Sequence, residues 1–315
     1  MRASPRKAAS DASQDAKRSL AREGRSIHDT GVNETIPPSP ASQAVPAESP
    51  DVLRSLMLRS MFWRPAYLAT SAWLEHLPFA FWLVEAHRPR AFVELGTHYG
   101  ASYFAFCQAV ERLCLDTHCY AIDTWVGDEH AGFYGEDVHA AVWAHNEAHY
   151  SGFSRLVRST FDEALGHFSD SSIDLLHIDG LHTFEAVSHD FASWRGKLTD
   201  EAVVIFHDTN VRERGFGVFR LFEELRAHYP AFEFVHGHGL GVIGFGAQQK
   251  DLLRQLFEAD THPAARQAVR EAFARLGRGC ADAFAAQGRS EREKDLEAEI
   301  SRLRAELAAF AQDRS

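Results

Sequence analysis

No stretch of this 315-residue sequence is apolar enough for long enough to span a bilayer. The most apolar region, Met61 to Ala86, is interrupted by Arg64, Glu75 and His76. No apolar stretch follows the basic first residues, so a secretory leader is not expected. Cysteine is scarce. Cys107, Cys114, Cys119 and Cys280 form no Cys-x-x-Cys pair, which argues against a zinc ribbon or a disulfide framework and for buried thiols in a reducing compartment. Positive charge is also short: 33 Lys and Arg against 44 Asp and Glu leave a net charge of −11. That mean field repels polyanions, so nucleic acid is not an expected partner. Internal repeats are lacking. The expectation is a soluble, cytoplasmic protein, and 45% hydrophobic and 11% aromatic residues are enough for a substantial core.

Three regions follow from composition. Residues 1–50 are rich in Ala, Ser, Arg, Asp and Pro, lack large apolar residues at a useful period, and end in Pro37, Pro38, Pro40, Pro46 and Pro50. This predicts a disordered head with a proline-stiffened linker. Residues 51–248 form the expected domain. Residues 249–315 form a polar helical tail in which Leu296, Ile300, Leu303, Leu307 and Phe310 recur at 4-3-4-3 spacing. That stripe is either a short coiled coil over about 290–312 or one amphipathic helix folded back on the domain.

Within the domain, Val52–Trp63 and Ser71–Ala86 carry apolar residues at helical spacing, and strand-like and helix-like segments then alternate. Strands are expected at Ala91–Leu95, Cys119–Ile122, Phe153–Val157, Ile173–Ile178 and Val203–Phe206. Helices are expected at Ala101–Cys114, Thr183–Trp194 and Gly217–His228. Such alternation implies parallel strands joined by right-handed crossovers, with helices on both faces. Phe232–Val235 and Gly241–Phe245, joined by His236-Gly237-His238-Gly239, predict a closing antiparallel hairpin. The expected fold is therefore α/β and Rossmann-like. Its sheet of seven strands is mostly parallel, and the hairpin fits the methyltransferase variant better than the plain dinucleotide-binding one.

Glu94-Leu-Gly96-Thr97-His-Tyr-Gly100 joins the first strand to its helix. Glycines there let a ligand approach the strand end and the helix N-terminus. The spacing is Glu-x-Gly-x-x-x-Gly, without the extra glycine that admits a pyrophosphate. An acid at Glu94 suits a cationic donor such as S-adenosylmethionine. Asp123 closes the second strand, placed to accept ribose hydroxyls. Expected cofactor residues are Glu94, Gly96, Thr97, Gly100 and Asp123.

Two further strand ends carry polar groups, Asp179-Gly-Leu-His182 and His207-Asp208-Thr209, and a parallel sheet brings both to the edge bearing Gly96. Methyl transfer to an alcohol needs a base for the hydroxyl proton and benefits from a divalent cation that stabilises the alkoxide. Asp179 and Asp208 are hard oxygen ligands suited to Mg²⁺ or Mn²⁺, and His182 is placed to face an acceptor. Each group also has a structural reading, as a helix cap or a hydrogen-bonded strand end. Trp125–Tyr150, with Gly127, Asp128, His130, Gly132, Tyr134 and Gly135, reads as an acceptor-binding lid or an ordinary long loop. Arg212 and Arg214 read as an anion clamp or as solvated side chains.

The segments SAWLEHLPFAFWLVEA, VELGTHYGASYFAFCQAV, DTWVGDEHAGFYGED, SIDLLHIDGLHTFEAVSHDFASW, VVIFHDTNVRERGFGV and HGHGLGV, covering about Leu53 to Gly246, resemble a bacterial family of class I methyltransferases of polysaccharide and glycoside biosynthesis. Some members of that family are fused to glycosyltransferases. The wider group is similar to metal-dependent sugar O-methyltransferases and cephalosporin-hydroxylase-like proteins. The resemblance implies S-adenosylmethionine as cofactor, a divalent metal (Mg²⁺) on Asp179 and Asp208, His182 as general base, and a sugar hydroxyl as acceptor. His207 stands where those relatives carry a carboxylate, which weakens an all-oxygen magnesium site and makes His207 a candidate nitrogen ligand. The C-terminal helix is a candidate surface for a second copy or a glycosyltransferase. Two other readings stay open: a non-catalytic cofactor-binding scaffold, and a metal-dependent oxygenase-like enzyme on the same fold.

Overall fold

The structure is a computed structural model that describes residues 52–312; the expected head at 1–50 lies outside the described residues. Seven strands form one sheet: β1 Ala91–Leu95, β2 His118–Asp123, β3 Ser154–Arg158, β4 Ile173–Ile178, β5 Leu198–His207, β6 Ala231–Phe234 and β7 Leu240–Gly244. Their order across the sheet is β3-β2-β1-β4-β5-β7-β6. The first five pair in parallel, while β7 runs antiparallel to both β5 and β6. This is the expected Rossmann-like sheet with its closing hairpin. The chain steps outward from β1 to β3 and then returns to the other side of β1. The topological switch point therefore falls between β1 and β4, and ligands of such sheets bind beyond the carboxyl ends of those strands.

Period-two alternation sends neighbouring side chains to opposite faces. From β1, Phe92 enters one core while Val93 and Leu95 enter the other; from β5, Val203 and Ile205 oppose Val204 and Phe206. Helices cover both sides; α4 (Glu136–His149) and α5 (Phe161–Leu165) come before and after β3 in the chain. The first core is closed by α2 (Leu77–His87) and α3 (Ala101–Arg112), the second by α6 (Phe184–Trp194) and α7 (Val218–Arg226). In α2 every residue except Glu85 is buried, as suits a helix clasped on all sides. The apolar segments before β1 are shorter and more broken than their periodicity suggests. They form α1 (Val52–Leu56) and two 3₁₀ turns, Arg59–Phe62 and Ala72–His76, with Pro78 starting α2.

Two helices follow the sheet, α8 (Asp251–Thr261) and the 50-residue α9 (Pro263–Gln312). Apolar packing does not stop at residue 248, because Leu253, Leu256, Phe257, Val269, Phe273 and Cys280 join the first core. A β-carbon on Gly277 would lie 1.9 Å from the Glu75 carbonyl oxygen, so α9 grips the 72–76 turn backbone to backbone. Farther along, Leu296, Ile300 and Leu303 are exposed, so over these residues the helix does not fold back on the domain. The side chains of Leu307 and Phe310 lie outside those described. Cys107, Cys119 and Cys280 are buried, Cys114 is exposed, and all four are free thiols. Among the described residues no helix is long and apolar enough to cross a membrane.

Candidate active site

Beyond β1 the chain turns sharply. Gly96 has φ +90°, and its N–H donates to the Ile122 carbonyl at 2.9 Å. A β-carbon here would sit 2.2 Å from the Asp179 carbonyl oxygen, so only glycine allows the β1 and β4 tips to meet. Gly100, at φ +79°, caps the start of α3. Asp123 lies at the end of β2, as expected. Its Oδ2 accepts the N–H groups of Thr97 at 2.8 Å and His98 at 2.9 Å, and its Oδ1 accepts that of Trp125 at 2.7 Å. The carboxylate therefore shapes the glycine loop, and Oδ1 retains room for one further donor.

Glu94 is fully buried and faces β4. The indole N–H of Trp73 donates to His177 Nε2 at 3.1 Å, and His177 Nδ1 lies 2.8 Å from Glu94 Oε2. An indole only donates, so Nε2 is the acceptor and the Nδ1–H donates to Glu94. Burial raises the Glu94 pKa, and the opposing His177 hydrogen bond does not cancel the effect. Glu94 Oε1 and Thr97 Oγ1 are buried and lack a well-formed hydrogen bond, although the Ser102 side chain works with His177 against the rise in the Glu94 pKa. Two unsatisfied oxygens beside a glycine-lined turn suit a ligand carrying an ammonium and hydroxyl groups.

The second half of the site follows β4 and β5. The Asp179 N–H donates to the Leu95 carbonyl at 2.8 Å. Asp208 occupies the left-handed region at φ +61°, a conformation few non-glycine residues adopt without local compensation. His182 Nε2 lies 2.9 Å from Asp208 Oδ2 and 3.5 Å from Asp179 Oδ1. His207 Nδ1 lies 3.3 Å from Asp179 Oδ1 and 3.2 Å from Asp208 Oδ2, while its Nε2–H donates to the Gly237 carbonyl at 3.0 Å. His238 Nδ1 adds a contact of 3.1 Å to Asp208 Oδ1. Burial works against charge on His182, but Asp179 and Asp208 outweigh it and raise its pKa to about 9. The same pair raises His207 against its own burial. The carboxyls move the opposite way: burial would raise Asp179 and Asp208, and the imidazoles hold both below the usual carboxylate range.

Asp179, His182 and Asp208 each offer one ligand atom, and these atoms all lie within 4.8 Å of one another. Asp179 and Asp208 supply hard oxygen donors that fit a divalent cation, so the residues present suit the expected metal. The structure brings His182, expected as a base, into this cluster, and His207 borders it.

Half of the Trp125–Tyr150 stretch is α4 (Glu136–His149), with acidic Glu136 and Asp137 in its first turn. The other half holds a small ribbon, Gly127–Asp128 against Gly132–Phe133. The ribbon reaches the site. His130 stacks on Phe216 at 4.5 Å, and Phe216 stacks on His182 at 4.6 Å with rings only 7° apart. Both candidate clamp arginines already have partners: Arg212 donates to the Thr209 carbonyl and Arg214 to the His130 carbonyl. Sequence reasoning missed His177, Trp73 and Phe216 and assigned nothing to His238. His177 did leave a signal, since a histidine inside a central strand covered on both faces needs a buried partner. A cavity of about 300 Å³ lined by His87, Arg90, Asp174 and Lys250 lies at the opposite, amino ends of the strands.

The methyltransferase domain family matches residues 93–209, which run from within β1 to the end of β5 and include Glu94, Gly96, Thr97, Gly100, Asp123, Asp179, His182, His207 and Asp208. The uncharacterized protein y4gI of Sinorhizobium fredii is 57% identical over 178 residues, which are 56% of this chain and 20% of that protein; the chain thus matches about one fifth of that curated relative's length. Similar solved structures include the SAH-bound methyltransferase PaMTH1 of Podospora anserina (TM-score 0.42, 10% identity, 53% of this chain and 76% of that one). Another is the O-methyltransferase TomG of Streptomyces achromogenes, involved in tomaymycin synthesis and solved with SAM (TM-score 0.42, 14% identity, 62% of this chain and 86% of that one).

Proposed function

We propose that this chain is an S-adenosylmethionine-dependent O-methyltransferase that acts on a sugar hydroxyl of a glycan or glycoside. The reading rests on one observation: the glycine turn at Gly96 abuts the backbone of Asp179, whose side chain joins His182 and Asp208 in a single cluster. A donor cradle and a proton-accepting, cation-ready group thus share one sheet edge.

Glu94 and Thr97 bind the donor through the oxygens that lack a well-formed hydrogen bond, Gly96 and Gly100 admit it, and Asp123 holds the loop in shape. Asp179 and Asp208 hold the divalent ion, with His207 as a neighbouring nitrogen donor; when bound, the ion lowers the cost of developing alkoxide charge. With an ion between the carboxylates that raise its pKa to about 9, His182 would be left neutral, its Nε2–H held at Asp208 and its unpartnered Nδ1 free to take the hydroxyl proton, with the ring oriented by Phe216. Sulfonium activation leaves proton removal and alignment as the protein's task.

The test is His182→Ala. Labelled S-adenosylmethionine is offered with a panel of nucleotide sugars and glycan fragments, with and without chelator, and donor binding is followed by calorimetry. Loss of transfer by about 10²- to 10⁴-fold with donor affinity unchanged is expected for a general base. A fully active variant refutes the assignment of the base. Absence of binding by either the donor or its demethylated product refutes the enzyme reading and favours a scaffold.

A further inference from the structure

We propose that the exposed end of α9 pairs with the same helix of a second copy of this chain as a short, parallel, two-stranded coiled coil. This does not depend on the proposed chemistry. Leu296, Ile300 and Leu303 are 64%, 47% and 49% exposed, on a helix whose residues 289–306 touch nothing else that buries them. Three large aliphatic residues in a row at 4-3 spacing, in water, form a seam without a partner.

The heptad phase follows from the spacing. Leu296 and Leu303 take d positions and Ile300 takes a, and the sequence continues the phase with Leu307 at a and Phe310 at d. Ile at a with Leu at d is the combination that favours parallel dimers.

The charges beside the seam identify the partner. In this phase Arg292 and Glu299 are g residues, while Glu297 and Arg304 are e residues. A parallel pair sets each g residue against the e residue five positions later on the other helix. Arg292 then meets Glu297 and Glu299 meets Arg304, each twice by symmetry, with opposite charges every time. An antiparallel pair with the same seam sets Glu299 against Glu306, a like-charge contact. A self-complementary edge is what a second copy supplies and an unrelated helix does not. In the lone chain Glu299 pairs with Arg302 of its own helix at 2.6 Å, an exposed contact that the dimer replaces. The seam starts at Leu296, because the preceding d and a positions are Arg289 and Glu293. So few layers make a weak, concentration-dependent dimer.

Sedimentation velocity of the full chain from micromolar to high micromolar concentration reads this directly. The weight-average mass is expected to climb toward twice the 35.2 kDa of the chain. Ile300→Glu should abolish the rise; the residue is exposed, so folding is unaffected, and thermal unfolding confirms that. Glu299→Arg should weaken association, and Glu299→Arg with Arg304→Glu should restore it. Leu303→Cys in a Cys114→Ser background should cross-link on oxidation, because equivalent d residues meet only in the parallel pair. A chain that stays monomeric throughout, a dimer that survives Ile300→Glu, or a charge swap that fails to rescue overturns the proposal.

Discussion

Replacing His177 with leucine removes the middle of the Trp73–His177–Glu94 chain and keeps most of the side-chain volume. All three residues are at most 1% exposed, so no water stands ready to substitute. Glu94 loses a charge-assisted hydrogen bond of 2.8 Å and Trp73 loses its acceptor at 3.1 Å. A hydrogen bond to a charged group contributes about 1.5 to 3 kcal/mol, and an orphaned buried donor costs about 1 to 3 kcal/mol, so the sum is about 2.5 to 6 kcal/mol. In a domain of this size that is a fall in Tm of about 5 to 24 °C. The loss has a pH signature. Burial already lifts the Glu94 pKa above its ordinary value, so its contribution is greatest at low pH and is lost as pH rises through the folded-state pKa. Without His177 that pKa climbs further, and the variant should be weakest at neutral pH and recover toward about pH 5. Calorimetric unfolding of the parent, of His177→Leu and of His177→Leu with Glu94→Gln measures this. The second substitution should restore part of the loss by removing the unpaired charge. A single variant within about 3 °C of the parent at pH 7, or one that weakens further in acid, refutes the reasoning.

Asp208→Asn with Asp179→Asn should lower Mn²⁺ affinity at least about tenfold, the scale seen when metal sites lose key supporting groups, as titrated by paramagnetic resonance; unchanged affinity removes the metal from this cluster. At the far end of the sheet, burial alone would raise the Asp174 pKa, but bonds from Arg90 and Thr199 outweigh it and lower the value. Its stabilising contribution is therefore complete above the ordinary carboxylate range and is lost as pH falls through the lowered value. Urea unfolding from pH 7 to pH 2.5 should show a shallower acid decline in Asp174→Asn, and identical slopes would contradict this. Gly277→Ala places a methyl 1.9 Å from the Glu75 carbonyl and should cost about 1 to 3 kcal/mol as overpacking, read from thermal unfolding; an unchanged midpoint means the turn yields freely.

The sheet was legible because its strands are short apolar runs separated by helical periodicity. Each expected strand was found within one residue at either end, apart from β5, which begins at Leu198. The Gly96 turn and the three polar strand ends were legible for the same reason: parallel strands deliver their carboxyl ends to one edge. What stayed hidden needed tertiary partners. Nothing local ties Trp73 to His177, 104 positions away. Nor does local sequence say that Asp123 is occupied by three backbone N–H groups, that Phe216 lies flat on His182, or that the 127–150 stretch divides into a ribbon and a helix. The helical tail was readable as a pattern, but the burial of Leu253, Phe257 and Phe273 depends on which side of the sheet lay uncovered.

Where the first and fourth strands end, main chain touches main chain at Gly96 and Asp179, with no side chain between. The floor between these strand ends is thus a fixed gauge: its span is written in peptide geometry, which substitution cannot lengthen by small steps. Any reshaping of the site has to come from its walls, from Phe216 or His130, while the floor keeps its span.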